Sequence, residues 1–271
     1  MDLLDQLPFV TTRIEATTTN GGLTIGTGFF FAFSRENNNY IPLLITNRHV
    51  LKNGSNIIIR ITQASLDKPK IGRWIQISIK LTNENVVYHP DQTVDLAAVL
   101  LDPSIKSTTG PLYIPYMNKS HIATDEEMKH INILHDIIMV GYPDGIMDTV
   151  NNLPVFRKGI TATNPSIDYN GNRHFLIDAT CFPGSSGSPI MSYEDDITHG
   201  VDGSITIGPK NKQIKLIGIQ SETFTHNSSG KIVPVEIPTQ IIPGTITPIP
   251  NNLGIVVKAS CILDLEPLIP R

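Results

Sequence analysis

Cysteine is nearly absent from this chain: Cys181 and Cys261 are the only two in 271 residues, and they lie far apart. A small secreted domain held by disulfides carries more, so the scarcity points to a reducing compartment and two buried free thiols. Long apolar runs are missing too, which leaves no segment to cross a bilayer as a helix. There is no excess of positive charge either. Lys and Arg total 21 against 25 Asp and Glu, so nothing electrostatic favours a nucleic-acid partner. The opening Met1 to Pro8 holds two acids and no basic residue, a poor secretory leader, and a cytoplasmic location is expected. None of the eight histidines pairs with cysteine at metal-ligand spacing, so neither metal nor cofactor is expected. Tryptophan occurs once, and Trp74 is assigned to the core of the N-terminal half.

Helical periodicity is also scarce; only 124–133 and the tail after Ser260 read as helices. What fills the chain is a succession of short β-branched runs bounded by Gly, Pro, Asn and Asp, the pattern of closed or sandwiched antiparallel sheets. The first set runs over 9–17, 23–34, 40–46, 56–63, 74–81, 85–88 and 96–101. The second covers 137–141, 155–163, 174–179, 188–192, 204–207, 213–221 and 254–259. Between them, 103–130 reads as a linker, with Pro103, Pro111 and Pro115. Prolines at 234, 238, 243, 248 and 250 resist ladder hydrogen bonding, so 223–252 is expected to be an extended loop beside the functional cleft. Phe29-Phe-Phe31 reads as core packing, and Arg157 and Lys158 as a charged strand edge.

The chemistry concentrates in three places. Phe182-Pro-Gly-Ser-Ser-Gly-Ser-Pro189 can hold a serine hydroxyl outward on a tight turn, with the Gly184 and Ser186 amides free to receive a developing oxyanion. In Leu43-Leu-Ile-Thr-Asn-Arg-His-Val-Leu51, an apolar strand ends at Thr46 and His49 falls in the turn that follows. Asp95 sits directly before the apolar run Leu96-Ala-Ala-Val-Leu-Leu101. A carboxylate there needs a hydrogen-bond donor, and an imidazole N–H is a suitable one. Asp91 competes with it, but follows Pro90 in an expected exposed turn.

The order His, Asp, Ser resembles that of the chymotrypsin-like serine peptidases. Thr46-Asn-Arg-His49, Asp95-Leu-Ala and Gly184-Ser-Ser186-Gly-Ser-Pro are similar to that family's three motifs. Gly26-Thr-Gly-Phe-Phe30 and Gly254-Ile-Val-Val-Lys258 resemble its strand before the histidine and its closing strand. The resemblance implies an all-β fold of two perpendicular, antiparallel six-stranded barrels. Residues 1–115 would carry His49 and Asp95, and 116–271 would carry Ser186 and end in a helix, together forming one peptidase domain. It implies a serine endopeptidase acting on protein or peptide substrates without a cofactor. A catalytically silent binding module is the alternative, and a regulatory protein partner is a third expectation. Ser185 stands where zymogens place an aspartate, so activation by N-terminal clipping is not expected. That feature and Gly141-Tyr-Pro-Asp-Gly145 are similar to the HtrA-type branch, with too little chain after Ser186 for a PDZ domain as well. By the family pattern Thr180 would lie at the base of the substrate side-chain pocket, with Ser221 and Gly254 at its walls and Glu222 at its mouth. An uncharged residue is the expected fit.

Overall fold

The computed structural model describes residues 3–19, 21–36, 39–102, 105, 110–193, 197–199, 205–207, 214–229 and 246–269. The chain opens with a short helix α1 (Leu3–Val10), whose buried Leu7 and Val10 lie one turn apart. This helix was not expected, and it takes the start of what the sequence suggested as the first strand. Seven antiparallel strands follow: β1 (Thr11–Thr18), β2 (Leu23–Ser34), β3 (Tyr40–Thr46), β4 (Gly54–Ser65), β5 (Lys68–Lys80), β6 (Val86–Tyr88) and β7 (Ala97–Leu100). They form one sheet in the order β5-β4-β1-β2-β3-β7-β6. The expected six-stranded closed barrel is therefore a seven-stranded sheet, because the three-residue β6 adds itself outside β7.

The second unit is a closed six-stranded barrel. Its strands are β8 (Asp136–Gly141), β9 (Val155–Thr161), β10 (His174–Asp178), β11 (Pro189–Ser192), β14 (Leu216–Ser229) and β15 (Ile246–Lys258). A separate two-stranded pair, β12 (Ile197–His199) with β13 (Ile205–Ile207), stands apart from it. From residue 110 on, the segment expected to link the halves is itself packed; 103, 104 and 106–109 lie outside the described residues. The Ala64 amide donates to Pro111 O (2.9 Å), Met117 N to Phe30 O (3.0 Å) and Ala123 N to Leu216 O (2.9 Å), so 110–123 passes from the sheet to the barrel. The helix expected at 124–133 is α3 (Asp125–His130), opened by a reciprocal capping pair between Thr124 and Glu127. The C-terminal helix is a 3-10 helix over Ala259–Leu268, with Pro267 inside it.

The pleat sorts the triple phenylalanine between two cores. Phe30 enters the cluster inside the first sheet with Leu44, Ile57 and Val99. Phe29 and Phe31 point the other way, into a cluster shared with Val140, Leu216, Val257 and Leu265 of the second unit. A third cluster, including Met139, Phe175 and Val256, fills the barrel. The shared cluster is what binds the two units along a common seam, and the chemistry lies at its rim. Trp74 is not core: its Nε1 donates to Val150 O (3.3 Å) and its ring stacks under Arg60 at 4.9 Å, bridging β5 to the β8–β9 connection.

The expected extended loop over 223–252 is in part a ribbon. β14 and β15 stay paired past the barrel, with Thr225 opposite Pro250 and Ser229 opposite Ile246. Residues 230–245 lie outside the described residues. β10 pairs with β15 no further than Asp178 opposite Leu253, so Pro248 and Pro250 sit where β15 needs only one neighbour, which proline tolerates.

Candidate active site

β3 ends at Thr46, and α2 (Arg48–Leu51) is a single turn that starts at buried Asn47. This turn lifts His49 out of the sheet, leaving its side chain 43% exposed. Asp95 is held next to β7 between Val94 and Leu96, both buried. Its carboxylate meets His49 twice: Oδ2 lies 2.6 Å from His49 Nδ1, and Oδ1 accepts the His49 amide at 3.0 Å. Asn47 Nδ2 donates to the Asp95 carbonyl at 2.7 Å. From the barrel side the Ser221 hydroxyl donates to Asp95 Oδ2, also at 2.7 Å. Burial pushes the Asp95 carboxyl up, but the His49 ring, the Ser221 hydroxyl and the His49 amide outweigh it. The net shift is below the usual aspartate value.

Asp91, the competing carboxylate, is taken up locally by the Thr93 amide and hydroxyl at 2.9 and 2.8 Å. Sequence reasoning chose between the two on the apolar run behind Asp95, and the geometry makes the same choice of partner for His49.

Ser186 lies on the turn between Cys181 and β11. Gly184 and Gly187 adopt φ of +89° and +88°, conformations that side chains rarely take. A Cβ on Gly187 would fall 1.9 Å from Thr27 O, and one on Gly184 would fall 2.4 Å from Tyr142 O, so both positions are closed to anything larger. The Ser186 hydroxyl donates to Ser221 O at 3.2 Å. One strand residue, Ser221, thus touches both Ser186 and Asp95. Sequence reasoning placed it near a pocket wall and did not foresee these two contacts, because its partners lie far away along the chain.

The other expected pocket residues separate. Thr180 is exposed, and its carbonyl accepts from Arg157, whose guanidinium also stacks on Phe182 at 5.3 Å. Its neighbour Cys181 points inward in its place, 2.8 Å from where a Gly254 Cβ would stand. The buried Gln220 side chain adjoins the same point and donates through Nε2 to Glu222 O at 2.8 Å. Glu222 is exposed. Cys181 and Gln220 thus border Gly254, while Thr180 faces solvent.

Among the described residues one grouping has metal-ligand atoms close together: His89, Cys261 and Asp264. Asp264 Oδ2 is shared by His89 Nε2 (3.0 Å) and the Arg173 guanidinium. Burial pushes the Cys261 thiol up to about 11. A cation already on the carboxylate and a protonated thiol make this a clamp rather than a metal seat. It fastens the loop leading to Asp95 onto the C-terminal 3-10 helix. A cavity of about 400 Å³ opens beside α3, lined by Asp125, Glu126, Lys129 and Lys258 among others, and none of His49, Asp95 and Ser186 borders it.

The family model of the trypsin-like peptidase domain matches residues 26–197, a span that contains His49, Asp95 and Ser186. The chain belongs to the trypsin-like peptidase family. Among solved structures this chain is similar to the HtrA-type protease AlgW with a tripeptide, at TM-score 0.54 and 16% identity, over 98% of this chain and 62% of that one. It is also similar to the active form of the Rv3671c protease from M. tuberculosis, at TM-score 0.50 and 16% identity, over 98% of this chain and 83% of that one. At these identities the likeness is one of fold, and this chain spans about 62% of the length of the AlgW chain. No curated protein sequence matches it.

Proposed function

We propose that the protein is a serine endopeptidase in which Ser186 attacks the substrate carbonyl, His49 accepts its proton and Asp95 orients the imidazole. The observation that carries this reading is the double grip of Asp95 on His49, through Nδ1 at 2.6 Å and the amide at 3.0 Å. With Nδ1–H fixed on a carboxylate, the Nε2 lone pair is the one left to act as base. The Gly184 and Ser186 amides have no acceptor among the described residues, which suits them to an oxyanion. In the reaction the Ser186 Oγ–C bond forms as the scissile C–N bond breaks. The proton taken by His49 passes to the leaving amine, and water then hydrolyses the ester by the reverse route.

The binding-only reading has one observation in its favour, the Ser186 hydroxyl resting on Ser221 O rather than on His49. The hydroxyl has that single partner and the Asp95 grip on His49 has no use in a silent module, so we favour the enzyme. The substrate is a protein or peptide, the peptidase works in the cytoplasm, and two units meeting near residue 115 act as one domain. Cys181 and Cys261, both free and buried, support that compartment.

A proteome-derived peptide library tests the reading. Incubation with wild type should create new N-termini that are absent with Ser186→Ala. Identical termini from both proteins would remove the endopeptidase assignment.

A further inference from the structure

Each peptide unit around Ser186 has a partner that sets its orientation. Pro183 O accepts the Asp144 amide (2.6 Å), Ser185 O accepts the Ser188 amide (3.0 Å), and Gly187 N donates to Gln220 O (2.8 Å). The remaining two carbonyls, of Gly184 and Ser186, both accept from a single residue of the first sheet. Thr27 donates its backbone N–H to Ser186 O at 2.8 Å and its hydroxyl to Gly184 O at 2.8 Å. The same hydroxyl accepts the Tyr142 amide at 3.1 Å. Tyr142 leads directly into the Pro143–Gly145 turn whose Asp144 amide holds Pro183 O. Thr27 O, in turn, accepts the Thr46 hydroxyl at 2.7 Å, three residues before His49.

We propose that Thr27 is a positioning residue that aims the Gly184 and Ser186 amides at the oxyanion through its hydroxyl bridge between Gly184 O and Tyr142 N. Thr27 is wholly buried, so water cannot replace its hydroxyl. The 184–185 peptide plane joins the two planes that carry the Gly184 and Ser186 N–H groups, so holding Gly184 O fixes ψ of Gly184 and φ of Ser185, the torsions that set those two amides relative to each other. A donor aimed wrongly by a small angle is lost mainly in the transition state, where the oxyanion exists. The inference rests on the serine endopeptidase reading and deepens it.

Thr27→Val keeps the shape and removes the hydroxyl; Thr27→Ser keeps the hydroxyl. On a peptide cleaved by wild type, Thr27→Val should lose kcat by about 10- to 100-fold with KM within twofold. Affinity for a peptide boronic acid, a tetrahedral mimic, should fall by a similar factor. Thr27→Ser should restore both to within about threefold of wild type. If Thr27→Val does not fold, Thr27→Ala is compared with Thr27→Ser in the same assays, and the loss should follow the hydroxyl. A folded Thr27→Val or Thr27→Ala with wild-type kcat and boronate affinity overturns the positioning role and leaves the enzyme reading standing. A wild type that neither cleaves nor binds boronate overturns the enzyme reading itself. A loss equal in Thr27→Val and Thr27→Ser also overturns the proposal, since the hydroxyl would then be irrelevant.

Discussion

Ser186→Ala should lower kcat by about six orders of magnitude on a peptide that wild type cleaves. Without the Oγ no acyl-enzyme forms, while the two free amides and the binding surface still leave a trace of rate above water. The fold should hardly notice. The hydroxyl has one hydrogen bond, to Ser221 O at 3.2 Å, and losing a single bond of that kind shifts Tm by at most about 4 °C. Large loss of rate with a small change in Tm separates a nucleophile from a structural serine. Retention of even 1% of the wild-type kcat would require another nucleophile.

Asp95→Asn should reduce kcat/KM by about 10⁴-fold at neutral pH. The cause lies in how the carboxylate is shared. If the amide oxygen keeps the His49 N–H, the new NH2 takes the place of Oδ2, where His49 Nδ1 and the Ser221 hydroxyl now meet the carboxylate. Two donors then face each other unless the ring moves its proton to Nε2, which removes the lone pair the reaction needs. Asp91→Asn should change kcat/KM by less than about twofold, since the Asp91 carboxylate is held by the Thr93 amide and hydroxyl rather than by His49.

The same carboxylate gives stability a sign with pH. Its folded value lies below its ordinary one, so the unfolded chain binds the proton first as pH falls. Its contribution is complete above about pH 4, the unfolded value, and is lost as pH drops through the lower folded value. Melting of Asp95→Asn should therefore fall less steeply than that of wild type below about pH 4. Parallel curves would show that the carboxylate is not held as described.

Much of this was legible from residue order because each motif is local. Thr46-Asn-Arg-His49, Asp95 before its apolar run and the glycines flanking Ser186 carry their geometry in adjacent residues. What escaped depends on long-range pairing. Ser221 touches Asp95 across 126 positions and Thr27 touches Gly184 across 157, and no local pattern encodes such a partner. The prolines at 248 and 250 read as strand breakers because proline cannot pair on both sides; in the ribbon they need to pair on only one. α1 was hidden by Pro8, which sits inside an eight-residue helix short enough for burial of Leu7 and Val10 to outweigh propensity.

The central claim is that Ser186 alone is activated by His49 and Asp95. A fluorophosphonate reacts quickly only with an activated serine, and mass spectrometry can locate the adduct. The account predicts one adduct per wild-type chain on Ser186, none on Ser186→Ala, and a much slower adduct on Asp95→Asn. An adduct on Ser185 or Ser188, or labelling that survives Ser186→Ala, would contradict it.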